Sequence, residues 1–158
     1  MTSSLPRIAF EDATPGRVFD LGSKTVSAEE IVEFASQFDA QPMHLDEEAG
    51  KASILGGLSA SGWHTCCLFM RMMCDGLLLD ATAQGSPGVE FVRWRKPVLA
   101  GDTLTGRAEV VETRLSKSRP GIGLVTLLVS LTNQDGALAC DFRAAVMFAT
   151  RSSGTVPA

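Results

Sequence analysis

Gly56-Gly57-Leu58-Ser59-Ala60-Ser61-Gly62-Trp63-His64-Thr65-Cys66-Cys67-Leu68-Phe69-Met70-Arg71-Met72-Met73-Cys74-Asp75-Gly76-Leu77-Leu78-Leu79 opens with a glycine pair that breaks the chain and continues as an almost wholly apolar run. From Ser59 or Gly62 to Leu79 it reads as one helix. Leu58 to Leu79 is long enough to cross a bilayer, yet His64, Arg71 and Asp75 lie within it, and each is costly in lipid. Arg71 and Asp75 are spaced i, i+4 and can pair on one helical face. The segment therefore reads as a helix inside a protein, and a helix apolar on nearly every side has to be surrounded.

The flanking sequence supplies what surrounds it. Downstream, Gly88 to Lys96, Thr103 to Thr113, Gly121 to Asn133 and Ala137 to Phe148 read as strands. In the third, Val125, Leu127, Val129 and Leu131 alternate with polar residues; in the fourth, Leu138, Cys140, Phe142, Ala144, Val146 and Phe148 share a face opposite Asp141 and Arg143. Asn133-Gln134-Asp135-Gly136 is a hairpin turn between them. Upstream, the turn Asp12-Ala13-Thr14-Pro15-Gly16 leads to a strand from Arg17 to Val26. Ser27 then caps a helix and forms a capping box with Glu30, and Ile31, Phe34, Ala35 and Phe38 mark its buried face. The order strand, helix, buried helix, antiparallel strands is α+β, with one long central helix wrapped by a curved antiparallel sheet.

At 158 residues the chain reads as one domain, residues 10–151, between loose tails at 1–9 and 152–158. A chain this long buries about 68 to 70 % of its unfolded surface. A hydrophobic fraction of 45 %, a charged fraction of 20 % and a net charge of -4 are those of a soluble globule with no general attraction to nucleic acid or anionic lipid. The first residues lack a basic start and an apolar core, so a cytoplasmic location is expected. The four cysteines, Cys66, Cys67, Cys74 and Cys140, have neither zinc-type spacing nor a disulfide pattern, and read as reduced core residues. No GxGxxG, P-loop, nucleophile elbow or HExxH motif is present.

The residues fit for chemistry lie just before the central helix. Phe38-Asp39-Ala40-Gln41-Pro42-Met43-His44-Leu45-Asp46 holds one of the two histidines near a carboxylate across a proline-stiffened turn. A histidine with a reference pKa near 6.5 serves as acid or base, and such a group is worth roughly 10² to 10⁴ in rate. Taken on these residues alone, loop bracing is the simpler reading of His44, a turn role that of Asp39, and acid/base pairing the alternative. Asp46 reads as the N-cap of a short helix, Glu47 to Ala52. Small residues from Gly56 to Gly62 suit close packing, or else backbone N–H groups that receive an oxygen gaining negative charge. His64 reads as a core or interface residue, and nothing near Cys66 or Cys67 lowers a thiol pKa.

These stretches together resemble the MaoC-like acyl-CoA dehydratases, or (R)-specific enoyl-CoA hydratases, of the hotdog fold. Asp39 to Asp46 is similar to the family's D-x-N-P-x-H-x-D signature, and Gly56 to Trp63 to the segment that leads into H-G-M at the central helix. Pro97-Val98-Leu99-Ala100-Gly101-Asp102-Thr103-Leu104 is similar to its P-V-x-x-G-D-x-L connection.

The resemblance implies a hotdog domain that adds water reversibly to a 2-enoyl-CoA to give a 3-hydroxyacyl-CoA. Asp39 would activate the water, His44 would assist and carry the proton to the α-carbon, and Gly62 N–H, with Ser61 beside it, would receive the thioester oxygen. It implies coenzyme A thioesters as substrates, no cofactor and no metal, and a homodimer, or a higher oligomer of dimers, with the acyl tunnel near its interface. Three departures stand out: Gln41 replaces the signature asparagine, Ser61 the histidine of H-G-M, and Cys67 the serine that helps hold the catalytic histidine. Met43, Trp63, Phe69, Met70 and Trp94 suit a tunnel or a core, and Arg93, Arg95, Lys96, Lys117 and Arg119 suit coenzyme A phosphates or solvent. A hotdog thioesterase is the second reading, against which stands the lack of an acidic residue between Gly56 and Arg71. A non-catalytic acyl-binding protein is the third.

Overall fold

The computed structural model describes residues 7–153. Strand β1 (Val18–Thr25) is followed by α1 (Ala28–Phe38), two short helices α2 (Pro42–Leu45) and α3 (Glu47–Ala52), and the central helix α4 (Gly62–Gly76). Strands β2 (Gly88–Trp94), β3 (Thr103–Leu115), β4 (Ile122–Thr132) and β5 (Leu138–Ala149) complete one antiparallel sheet in the order β1-β3-β4-β5-β2. This is the expected α+β arrangement, a long helix packed into one five-stranded sheet.

Local signals account for most boundaries. Ser27 Oγ accepts the Glu30 N–H while a Glu30 carboxylate oxygen accepts the Ser27 N–H, so the capping box starts α1 as read. Asn133 Oδ1 accepts the N–H groups of Asp135 and Ala137, and Gly136 takes a φ of 75°, closing the β4–β5 turn. Strand β2 stops at Trp94 rather than Lys96. The Arg95 and Lys96 N–H groups converge on one carbonyl, that of Ala139, and Pro97 has no N–H with which to continue the ladder.

The core lies between α4 and the inner face of the sheet. Val125, Leu127, Val129 and Leu131 of β4 and Cys140, Phe142, Ala144, Val146 and Phe148 of β5 are buried as their alternation requires, but Leu138, read on the same face, is exposed, because the β4–β5 register shifts between Leu131 and Thr132 and turns Ala139 inward instead. Phe69 of α4 meets Phe142 with ring centroids 4.5 Å apart. Full burial of such a side chain contributes roughly 1.5 to 3 kcal/mol.

Several expectations are corrected. The central helix is not enclosed: His64, Thr65, Leu68, Phe69, Met72 and Met73 turn inward, whereas Trp63 is 61 % and Met70 44 % exposed. A single layer of sheet covers only one side of a helix. The α-helix ends at Gly76, and a 3-10 turn over Leu78–Asp80 replaces its last turn. Cys67 is exposed, Cys66 and Cys74 are half-buried, and only Cys140 is a buried core thiol. On α1, Ile31 and Ala35 are buried but Phe38 is 71 % exposed, because the helix has run past the core by its last residue.

The boundaries of the domain also differ. Ile8 bridges to Ala81 and Ala9 is buried, so residues 7–9 belong to the packed body. At the other end Ser153 Oγ donates to the Gly121 carbonyl, which ties the chain down beyond 151. The remainder of both expected tails, 1–6 and 154–158, lies outside the described residues.

Candidate active site

Asp39 ends α1 and His44 lies in the next helix, α2, where Pro42 stands at a helix start, a position that needs no N–H donor. His44 is buried, and its Nδ1 lies 2.7 Å from the carbonyl oxygen of Ser59. A carbonyl only accepts, so Nδ1 carries the proton, and Nε2 of the neutral ring holds a free lone pair. That Nε2 faces Asp39 Oδ2 at 3.6 Å.

Two donors hold the Asp39 carboxylate. Ser61 Oγ donates to Oδ2 at 2.6 Å and Gln41 Nε2 donates to Oδ1 at 2.7 Å. These bonds, Ser61 first, keep the Asp39 pKa below the ordinary carboxylate value, with His44 adding to the effect and partial burial opposing it. Gln41, which stands where the signature has asparagine, thus braces the turn through the carboxylate. Ser61 also accepts the Trp63 N–H at 3.3 Å, so one hydroxyl joins the start of α4 to the carboxylate.

Ser59 and Ser61 are held by the loop before α4. Glu47 of α3 accepts the Leu58 N–H, and Gly50 of the same helix packs so closely on that loop that a Cβ would lie 2.3 Å from the Gly57 carbonyl oxygen. At the helix start Gly62 has no acceptor for its N–H among the described residues. Its Cα lies under the Trp94 indole, where a Cβ would come within 2.6 Å of the ring. Trp94 Nε1 donates to the Gly62 carbonyl at 2.9 Å, and Trp63 meets Trp94 edge-on with centroids 5.5 Å apart.

A cavity of about 380 Å³ opens onto this constellation. Asp39, Gln41 and His44 form one wall, Gly62, Trp63 and Thr65 another, and Trp94 to Val98 line the mouth. Its size and its mixture of apolar walls with few polar groups suit a small organic ligand. Arg95 at the mouth is bound to Asp141 through contacts of 2.8 and 3.2 Å, whereas Lys96 has no carboxylate partner among the described residues.

Asp39, His44, Gln41, Ser61 and Gly62 are thus gathered in one place. Cys67 is not: it points outward and does not line the cavity, because at helical spacing the inward positions are His64, Thr65 and Leu68. The Ser59 carbonyl holds His44 instead. Of the bulky candidates, Trp63 and Trp94 line the cavity and Phe69 belongs to the core. His64 stacks on Phe34 at 4.7 Å, away from the site, and burial pushes its pKa down. Sequence reading missed the Ser59 carbonyl and the packing of Trp94 on Gly62. A glycine inside the short helix α3 was the one available signal of the close approach at Gly50.

Comparison with known proteins identifies the family and the fold. The family described as MaoC like domain matches residues 11–132. The chain is 31 % identical to the uncharacterized Bacillus subtilis protein YdeM over 125 residues, 78 % of this chain and 86 % of that one. Its structure is similar to that of a MaoC-like dehydratase from Rhodospirillum rubrum, with a TM-score of 0.84 and 39 % identity over 91 % of this chain and 98 % of the other. It is also similar to an A. caviae (R)-hydratase involved in PHA biosynthesis, with a TM-score of 0.67 and 27 % identity over 84 % of this chain and 95 % of the other. With the family match spanning most of its length and a five-stranded sheet packed against one side of its central helix, the chain belongs to the MaoC-like hydratase/dehydratase family and has the hotdog fold.

Proposed function

We propose that this protein reversibly hydrates a 2-enoyl-CoA to a 3-hydroxyacyl-CoA. The observation that carries the reading is the 3.6 Å approach of His44 Nε2 to Asp39 Oδ2 at the wall of the cavity, each group fixed from behind by its own hydrogen bonds. Two acceptors at that separation can share one water, each within hydrogen-bond reach of it.

In the hydration direction Asp39 takes a proton from that water as its oxygen bonds to the β-carbon. The π electrons move onto the thioester oxygen, where the free Gly62 N–H at the positive end of α4 stabilises the developing charge. The proton passes from Asp39 to His44 Nε2 and on to the α-carbon. One water has then been added, and both side chains are back in their starting states. Addition of water involves no net oxidation or reduction, so side chains and water suffice, and the reading assigns neither cofactor nor metal.

The same reading includes a homodimer. Strand β2 pairs only with β5 and leaves its other edge open, with Val89 54 % and Trp94 48 % exposed and Trp63 of α4 edge-on to Trp94. An open edge next to apolar side chains is suited to a second copy. No helix among the described residues is long and apolar enough to cross a membrane, and a cytoplasmic location is proposed from the four free cysteines.

The test follows a short trans-2-enoyl-CoA by loss of its conjugated thioester absorbance and by release of free thiol. Absorbance loss without thiol is expected. Thiol release as the first event would identify a thioesterase instead, and no change with any acyl length would leave a binding protein.

A further inference from the structure

A second cavity, of about 390 Å³, lies at the other end of the sheet, where the β3–β4 hairpin folds over Leu124 and Met147. Arg114, Lys117 and Arg119 line it together with Ser116 and Ser118, and no carboxylate does. Most lysines and arginines of this chain have a carboxylate partner. Of the six that have none among the described residues (Arg17, Lys96, Arg107, Arg114, Lys117 and Arg119), three meet here. In a chain of net charge -4, that is a local concentration of uncompensated positive charge.

The floor differs from the rim. Leu124 pairs with Arg114 on one side and Met147 on the other, all on the sheet face opposite the core. Arg119 Nη1 reaches to 3.7 Å from Met147 Sδ. Ser116 Oγ accepts the Arg119 N–H, which orders the hairpin tip. Guanidinium and ammonium groups above an apolar, thioether-bearing floor suit a ligand with several phosphates and a flat ring.

The spacing to the first cavity matches one such ligand. Asp141, which holds Arg95 at the mouth of the Asp39–His44 cavity, and Met147 lie six positions apart on the same face of β5, or about 20 Å. The pantetheine arm and pyrophosphate of coenzyme A, a chain of about fifteen bonds of ordinary length, cover roughly that span when extended. We propose that this cavity binds the phosphorylated adenosine end of the coenzyme A thioester, with Arg114, Lys117 and Arg119 on its phosphates and the purine over Leu124 and Met147. The identity of the ligand rests on the hydratase reading; the phosphate-binding character of the cavity does not.

The test compares the wild type with the triple variant Arg114→Gln/Lys117→Gln/Arg119→Gln. Hydration of an enoyl-CoA and of the matching enoyl pantetheine thioester, which lacks the nucleotide, is measured for each, and adenosine 3′,5′-bisphosphate is titrated by calorimetry. The preference for the coenzyme A thioester, as a ratio of kcat/KM values, is expected to fall at least about tenfold in the variant, since each charge-assisted contact is worth more than a neutral one. The bisphosphate is expected to bind the wild type, compete with enoyl-CoA and bind the variant at least about tenfold more weakly. An unchanged preference overturns the proposal. Bisphosphate binding that depends on the three cations yet does not compete overturns it in favour of a free nucleotide. If the wild type hydrates neither thioester, the hydratase reading fails, and titration of coenzyme A itself then decides: equal affinity for wild type and variant overturns the proposal, and loss of affinity in the variant supports it.

Discussion

Ser61 Oγ donates its hydrogen to Asp39 Oδ2 across 2.6 Å, which places on a helix-capping hydroxyl the control of the carboxylate that faces His44. The bond joins two elements far apart in sequence, and its effect is electrostatic as well as structural. By stabilising the anion it holds the Asp39 pKa below its ordinary value.

Replacing Ser61 by alanine removes that donor. The Asp39 pKa is then expected to rise, so that the acid limb of the kcat/KM profile moves to higher pH, with a loss of roughly 10- to 100-fold near neutrality for one bond to a charged group. The sign for stability follows from the same shift. A carboxylate whose folded pKa is depressed adds stability above its unfolded pKa, and that stability is lost as pH falls through the folded value. The variant's deficit should therefore be larger at neutral pH than in strong acid, whereas loss of the helix cap alone would cost the same at both. Denaturant titration at the two pH values separates them.

Asp39→Asn and His44→Ala should each lower kcat/KM for enoyl-CoA by at least about 10², with the far-UV circular dichroism spectrum unchanged. Ser59 holds His44 through its backbone carbonyl, so Ser59→Ala should keep most of the activity. A collapse of activity in Ser59→Ala would show that the hydroxyl, 3.4 Å from His44 Nδ1, is the group that matters.

Gly62→Ala puts a methyl group within 2.6 Å of the Trp94 ring. The indole has to move, which is expected to cost roughly 1 to 3 kcal/mol and to open the cavity wall. Trp94 fluorescence reports the displacement. Adding Trp94→Ala should recover part of the stability but little of the activity, because the wall is then missing altogether.

Gly50→Ala meets backbone rather than a side chain, with the new carbon 2.3 Å from the Gly57 carbonyl oxygen. The loop that carries Ser59 and Ser61 has to shift, so activity should fall along with stability. A loss of about 1 to 3 kcal/mol corresponds to a melting point lower by roughly 2 to 12 °C for a chain of this size. A variant that melts like the wild type would refute the close approach of α3 to this loop.

What was legible in the sequence was local. The Ser27–Glu30 box, the Asp46 cap of α3, the Asn133 to Gly136 turn and the alternation along β4 and, from Cys140 onward, along β5 each depend on neighbours within a few residues, and each appears as read. The meeting of Asp39 with His44 was legible for the same reason, since a short proline turn joins them. Of the groups that fix the pair, Gln41 and Ser61 stood in the motifs themselves, but the Ser59 carbonyl, 15 positions beyond His44, did not, and neither did Trp94, which packs on Gly62 from 32 positions further on. Cys67 shows the limit of reading a motif position along a helix. Which residue faces the site depends on the face that packs against the sheet, and here Thr65 and Leu68 turn inward while Cys67 does not. The open side of α4 had the same origin, for composition records how apolar a helix is but not how many layers cover it.

The most direct measurement incubates the protein with a short trans-2-enoyl-CoA in water enriched in heavy oxygen and locates the label by mass spectrometry. Hydration by Asp39 and His44 places one heavy oxygen on the β-carbon of an intact thioester, and Asp39→Asn abolishes that product. Label in a free carboxylate, or no incorporation with any enoyl chain, would contradict the account.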